Sequence, residues 1–197
     1  TVALDKTGTL TEGRPKVVEI CIGHAALVAL GPGPDGDGIL CHHRGDALSK
    51  DAAEALRLAA AAEAFSTHPI AEAIVLEARS QGLEVPAAQS HQAFSGMGIV
   101  AGVDGVEVKI GQPRFFEGDS AAMPPVFREH VQEMQSRGLT SVLMRAGEDW
   151  VALGLRDEPR PIAQEFLAGL RGVGVDHVAM LTGDNPATAT AIARDLK

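Results

Sequence analysis

Two kinds of patterning share this chain, and one sheet cannot hold both. Towards the C-terminus a helical stretch, 160–171, gives way to a continuous apolar run, 177–181. A Thr-Gly-Asp loop and a second helix opened by Asn185-Pro186 follow. Helix, buried strand, loop, helix is the rhythm of a parallel α/β layer. The middle of the chain reads otherwise. Strand-sized pieces at 89–95, 99–103 and 106–110 follow one another closely, and only Asp104-Gly105, a two-residue hairpin turn, separates the last two. Residues 140–145 and 150–155 form another hairpin. The opening run 1–4 is apolar, ends on Asp5, and groups with the tail. The fold class expected is α/β: a parallel unit of 1–14 plus 153–197, with an inserted α+β unit of 15–152 whose antiparallel sheet is flanked by helices.

The helices can be placed by their apolar stripes. Residues 46–65 are rich in Ala and Leu. Pro69 opens a helix with Ile70, Ile74, Val75 and Ala78 inward, and Pro124-Pro125 opens one with Phe127, Val131 and Met134 inward. Segment 160–171 turns Ile162, Phe166, Leu167 and Leu170 inward, and the last helix Ala189, Ile192, Ala193 and Leu196. Strands are expected at 16–22, 25–30 and 39–43, with the Gly-Pro-rich segment 31–38 as a turn or loop.

Composition narrows the function. Seventeen Lys and Arg against 26 Asp and Glu give a net charge of −9. An acidic chain without a basic run is a poor nucleic-acid binder. No stretch approaches the ~18 apolar residues that span a bilayer. Cys21 and Cys41 form no Cys-x-x-Cys pair, and a reduced setting fits them. The chain opens inside a strand pattern without Met and closes inside a helix, so it reads as a piece of something longer.

The chemistry concentrates in Asp5-Lys6-Thr7-Gly8-Thr9-Leu10-Thr11. A carboxylate stands at the C-terminal end of an apolar strand, where α/β sheets place their ligands. The residues after it are small and hydroxylated, and can surround a phosphate with donors. Asp can act as a nucleophile and form an aspartyl-phosphate.

This string resembles the phosphorylation motif of the P-type ATPases. Thr182-Gly183-Asp184 resembles that family's second phosphate-contacting loop, and Asp157-Glu158-Pro159-Arg160 its Asp-x-x-Arg element. The middle section resembles the heavy-metal (type IB) branch: Ser66-Thr67-His68-Pro69-Ile70 its Ser-x-His-Pro, Glu63 the acidic residue before it, Gly96-Met97-Gly98 its Gly-x-Gly, and Ile110-Gly111 its Ile-Gly. The resemblance implies a haloacid-dehalogenase-like phosphorylation domain carrying a nucleotide-binding domain. It implies that Asp5 accepts the γ-phosphoryl group of ATP, with Lys6 adding positive charge. It implies that Thr7 lends a carbonyl to Mg²⁺ beside the Asp5 carboxylate, and that Thr182, Gly183 and Asp184 contact phosphate. Glu63, His68, Gly96, Gly98 and Gly111 would form the adenine and ribose pocket. There the His68 ring can lie on the base, and the glycines let the backbone approach the nucleotide closely.

The same resemblance implies partners outside this piece: an actuator domain, a membrane domain and the heavy-metal cation its helices would carry, with this region on the cytoplasmic side. A Gly-Asp-Gly-x-Asn-Asp segment and a phosphate-contacting Lys are expected beyond Lys197, so this piece should bind nucleotide with little turnover. Thr67 before His68 leans towards zinc, cadmium and lead over copper. Hinges near 13–16 and 153–157 would carry ATP from His68 to Asp5.

Two features depart from the pattern. Gln112 stands where the family usually has Asn. Cys41-His42-His43, with Cys21, His24, Asp35 and Asp37, has metal-ligand chemistry, but a strand there would put His42 on the face opposite Cys41 and His43. Two other functions compete. A soluble phosphatase with an inserted cap would carry a second Asp two residues after the nucleophile, where this chain has Thr7. A nucleotide- or metal-sensing module would have no need of an intact Asp5 loop.

Overall fold

The computed structural model describes residues 1–24, 38–118, 123–183 and 186–196. The strand expected at 25–30, the glycine–proline turn up to 37, and Asp184 and Asn185 lie outside the described residues. Strands β1 (Val2–Asp5) and β9 (Val178–Leu181) pair in parallel, with Asp5 opposite Leu181. The other seven form one antiparallel sheet, in spatial order β3 (Ile39–His43), β2 (Lys16–Gly23), β8 (Asp149–Arg156), β7 (Thr140–Ala146), β6 (Val106–Gly111), β5 (Gly98–Val103) and β4 (Ser90–Phe94). The expected mixture of a parallel pair and an antiparallel sheet is therefore present. β8 carries on to Arg156, opposite Lys16.

Helices α1 (Lys50–Glu63) and α2 (Pro69–Ser80) cover one face of the seven-stranded sheet, and α3 (Pro125–Ser136) packs on the other. The first core is filled by small α1 residues, among them Ala59, Ala60 and Ala62, against Ile99, Val108 and Leu153. Alanine at so many buried positions brings this helix close to the sheet. Ser49 caps it, accepting the Ala52 N–H at 3.2 Å. The second core gathers Phe127, Val131 and Met134 of α3 around Trp150 and Leu143, with Cys21 fully buried among them. Cys21 and Cys41 face each other across β2 and β3 and are joined as a disulfide, so the expectation of two reduced thiols is not met.

The third core, around β1 and β9, is small. Helix α4 (Ala163–Gly172) buries Ala163 and Leu167, and α5 (Pro186–Asp195) buries Thr188 and Ile192, with Leu196 just beyond it. Here the sequence reading needs correction. Ile162 and Phe166 are 64% and 48% exposed. Two apolar stripes run side by side here, and the sheet takes the one through 163, 167 and 170, which leaves 162 and 166 outside. Ala193 is likewise exposed. Strand β9 is not continuously buried either: Ala179 and Leu181 face outward. The tail helix reaches the antiparallel unit, since Thr188 Oγ1 donates to the Leu139 carbonyl at 3.3 Å and Ala191 packs against Gly138.

Candidate functional site

Asp5 closes β1, and the chain then makes one irregular turn, Lys6–Leu10. Within it Thr7 is extended (φ −76°, ψ 120°) and Gly8 is left-handed (φ +77°). Lys6 is buried, while Asp5 and Thr7 are exposed. Because β1 and β9 are parallel and in register, Thr182 leaves its strand one residue after Leu181, beside Asp5. Thr182 is half-buried and Gly183 exposed. The nucleophile candidate and two of the three expected phosphate-loop residues thus share one edge of the sheet.

The turn is held from outside. The Arg160 guanidinium donates to the Gly8 carbonyl at 2.9 Å, and the Leu10 carbonyl accepts the Arg160 N–H at 2.9 Å. The Asp157 carboxylate accepts from Thr11 Oγ1 and from the N–H groups of Gly13 and Arg14. Lys16 Nζ meets Glu158 at 2.6 Å. The sequence reading noted Asp157 and Arg160 by resemblance alone; the structure shows what they hold.

The second constellation is a cavity of about 710 Å³. Glu63, His68, Gly96, Gly98 and Gly111 all line it. They come from four places: the end of α1, the start of α2, the β4–β5 turn with its following strand, and the end of β6. His68 is the N-cap of α2, where Pro69 sets the first turn. Its Nδ1 accepts the Ile70 N–H at 3.2 Å. That lone pair is occupied, so the neutral ring carries its proton on Nε2, and the ring is exposed. Glu63 is 8% exposed. Burial pushes its carboxyl up to about 7 from the ordinary 4.5, opposed by a hydrogen bond from Ser66. Near neutrality it both donates and accepts.

Gly98 and Gly111 are opposite one another in the β5–β6 ladder. A Cβ on Gly98 would lie 2.6 Å from Phe115 Cδ1 and would run into the Ile110 carbonyl; one on Gly111 would lie 2.7 Å from the Gly98 Cα. The crowding comes from the chain itself. These glycines let the two strands, and Phe115 beside them, pack without a side chain in the way. Gly96 has φ +66°, and its carbonyl accepts from Arg114.

The family model for haloacid dehalogenase-like hydrolases matches residues 1–197. The chain belongs to that family. Within it, the relatives are transporters by name. A probable copper-exporting P-type ATPase V of Mycobacterium tuberculosis is 34% identical over 100% of this chain. A zinc/cadmium/lead-transporting P-type ATPase of Escherichia coli is 37% identical over 99% of it. The chain spans 22% of the length of each. A solved zinc-transporting PIB-type ATPase in its E2.Pi state superposes with a TM-score of 0.66 at 36% identity, over 100% of this chain and 28% of that one. This hydrolase thus resembles the catalytic region of heavy-metal P-type ATPases, and the capped-phosphatase reading is not favoured. Among the described residues, no helix is long and apolar enough to cross a membrane.

Sequence reasoning missed some of the cavity wall. Phe65, His91 and Phe94 line it, beside Gln112, which the sequence named only as a departure from the pattern. The Phe65 and His91 rings meet edge-on at 5.5 Å. Phe65 could have been found from its place beside Ser66. His91 and Phe94 could not, because nothing in a five-residue edge strand says which cavity it borders.

Proposed function

We propose that this chain binds ATP in the cavity around His68 and accepts its γ-phosphoryl group on Asp5, as the catalytic region of a heavy-metal P-type ATPase. The convergence of Glu63, His68, Gly96, Gly98 and Gly111 on one cavity carries the reading. The exposed His68 ring offers a face to the adenine while its Nδ1 caps α2. Glu63, largely protonated below pH 7, offers a donor and an acceptor to the base edge.

Asp5 acts as the nucleophile. A carboxylate oxygen forms a bond to the γ-phosphorus, the bond from that phosphorus to the β,γ-bridging oxygen breaks, and ADP leaves with the electron pair. Thr182 and Gly183, which follow the residue paired with Asp5, donate to the phosphoryl oxygens in this reading. The oxygen donors here, the Asp5 carboxylate and the Thr7 carbonyl, suit Mg²⁺ and would hold it. When bound, it neutralises charge on the phosphate oxygens. With Thr7 at the position of a phosphatase's second Asp, no carboxylate there activates water. The aspartyl-phosphate then persists long enough to drive a conformational step.

In the parent chain, that step works through an actuator domain and a membrane domain, with this region on the cytoplasmic side and a heavy-metal cation as cargo. The parallel unit takes 1–14 and the chain after β8, and the nucleotide unit takes 15–152 with the end of β8, which stays paired in the antiparallel sheet to Arg156; the crossings lie at 13–16 and at Asp157. Calorimetric titration of ATP with and without Mg²⁺ tests the pocket: saturable binding supports it, and no heat of binding in either condition refutes it. Phosphorylation is tested separately in the parent chain, where the hydroxylamine-labile label from γ-labelled ATP should vanish in Asp5→Asn.

A further inference from the structure

On the other edge of the antiparallel sheet, away from the nucleotide cavity, four metal-ligating side chains meet on one face. Cys21 is paired with Cys41, and Glu19 with His43, in the β2–β3 ladder. Alternation along each strand puts Glu19 and Cys21 on one side and Cys41 and His43 with them, while His42, opposite Ile20, points away. The ligand atoms of Glu19, Cys21 and Cys41 all lie within 4.8 Å of one another. Glu19 Oε1 is 3.6 Å from Cys21 Sγ and 4.0 Å from His43 Nδ1. A tetrahedral site with ligands at ~2.0–2.3 Å has edges of about 3.3–3.8 Å; the Glu19–Cys21 separation already matches one, while the exposed His43 ring, outside that 4.8 Å set, has to turn towards the sulfurs to complete the site.

The outer groups are also arranged. Glu19 is 4% exposed. Its second oxygen, Oε2, is held by the Arg137 guanidinium at 2.6 Å. That contact aims Oε1 at the sulfur and the imidazole, the role outer-shell partners play around bound metals. Charges balance too: two thiolates and one carboxylate against a divalent ion and Arg137.

We propose that, with the Cys21–Cys41 bond reduced, Glu19, Cys21, Cys41 and His43 bind one divalent ion of zinc-like softness. Two thiolates, an imidazole and a carboxylate select Zn²⁺ or Co²⁺ over Mg²⁺ or Ca²⁺. The chemistry balances as follows. A phosphine and one water convert the disulfide to two thiols and the phosphine oxide, and the ion then displaces one proton from each thiol. A small-molecule disulfide takes the two electrons and two protons back, leaving as two thiols and re-forming the Cys21–Cys41 bond; that removes both sulfur ligands, so the same four residues have a closed and a metal-binding form. The site does not depend on the nucleotide reading, because it shares no residue with that cavity.

The test is a Co²⁺ titration of the phosphine-reduced, desalted chain. One equivalent should produce a sulfur-to-cobalt charge-transfer band and the intense visible bands of tetrahedral Co²⁺, both lost on adding Zn²⁺. Cys41→Ser should abolish the charge-transfer band. Arg137→Ala should weaken binding ~10–100-fold, as loss of an outer-shell partner does, and His43→Ala, a change at an exposed side chain, by at least as much. Far-ultraviolet circular dichroism and a urea unfolding midpoint for each variant check that the sheet is intact. A reduced chain without the band, a band unchanged in Cys41→Ser, or sulfurs that a thiol reagent reaches only after unfolding would each overturn the proposal.

Discussion

Thr11 Oγ1 donates to Asp157 Oδ2 at 2.5 Å across 146 positions of sequence. The bond joins the two places where the chain passes between its sheets. The Thr11 N–H donates to the Lys6 carbonyl, and the other Asp157 oxygen takes the Gly13 and Arg14 N–H groups. One carboxylate thus fixes the end of the Asp5 turn to the strand leaving the antiparallel unit. Hydrogen bonds to a charged group are worth about 1.5–3 kcal/mol. Asp157→Ala should therefore cost about 2 kcal/mol in denaturant unfolding and speed amide exchange across residues 6–14. Unchanged exchange there would show that the turn stands without the clamp.

His68 serves two purposes that one substitution cannot separate. His68→Ala removes both the ring and the cap on α2, whose loss costs about 0.5–2 kcal/mol. His68→Asn keeps a side-chain acceptor for the Ile70 N–H and removes the ring. Aromatic stacking on a base is worth ~1–3 kcal/mol. ATP affinity should therefore fall roughly tenfold or more in His68→Asn by calorimetry, with little change in stability. Equal binding in His68→Asn and wild type would remove the ring from the site.

Gly98 and Gly111 test the cavity floor. An alanine at either pushes against backbone across the ladder and, at Gly98, against Phe115. Such overpacking costs about 1–3 kcal/mol. Gly98→Ala should lower the unfolding midpoint and weaken ATP binding together, because the floor opens when the strands part. Loss of stability with ATP affinity preserved would detach the floor from the nucleotide.

Glu63 makes stability depend on pH. Its carboxyl is raised from 4.5 to about 7 in the folded chain. Between those values the folded state holds a proton that the unfolded state has lost. Stability from this residue is complete below about pH 4.5 and falls as pH rises to 7, by up to about 3 kcal/mol. Glu63→Gln should flatten that part of the stability–pH curve measured by urea unfolding. A curve of unchanged slope in the variant would place the titration elsewhere.

Much of this was legible in order along the chain. Asp5 after an apolar strand, Pro69 after His68, and Asp104-Gly105 between two strands are local signals, and each folded as its chemistry suggests. Asp104 has φ 49° and Gly105 φ 80°, the left-handed pair such a turn needs. Competing stripes were not legible. Ile162 and Phe166 are as apolar as Leu167, and only the position of β1 and β9 chooses between them. The charge clamp on the Asp5 turn was also hidden, because nothing near Asp157 names Thr11 as its partner.

The sequence by itself determined the element types, the chemistry of the Asp5 turn and the direction each strand residue points relative to its neighbours, because backbone sterics and side-chain periodicity act over a few residues. It put Cys41 and His43 on one face and His42 on the other. Only the tertiary structure decided that Cys21 and Glu19 stand opposite them, that Thr182 lies beside Asp5, and that Glu63 is buried enough to hold its proton. Those facts depend on register and burial, which long-range packing sets after the local signals are spent.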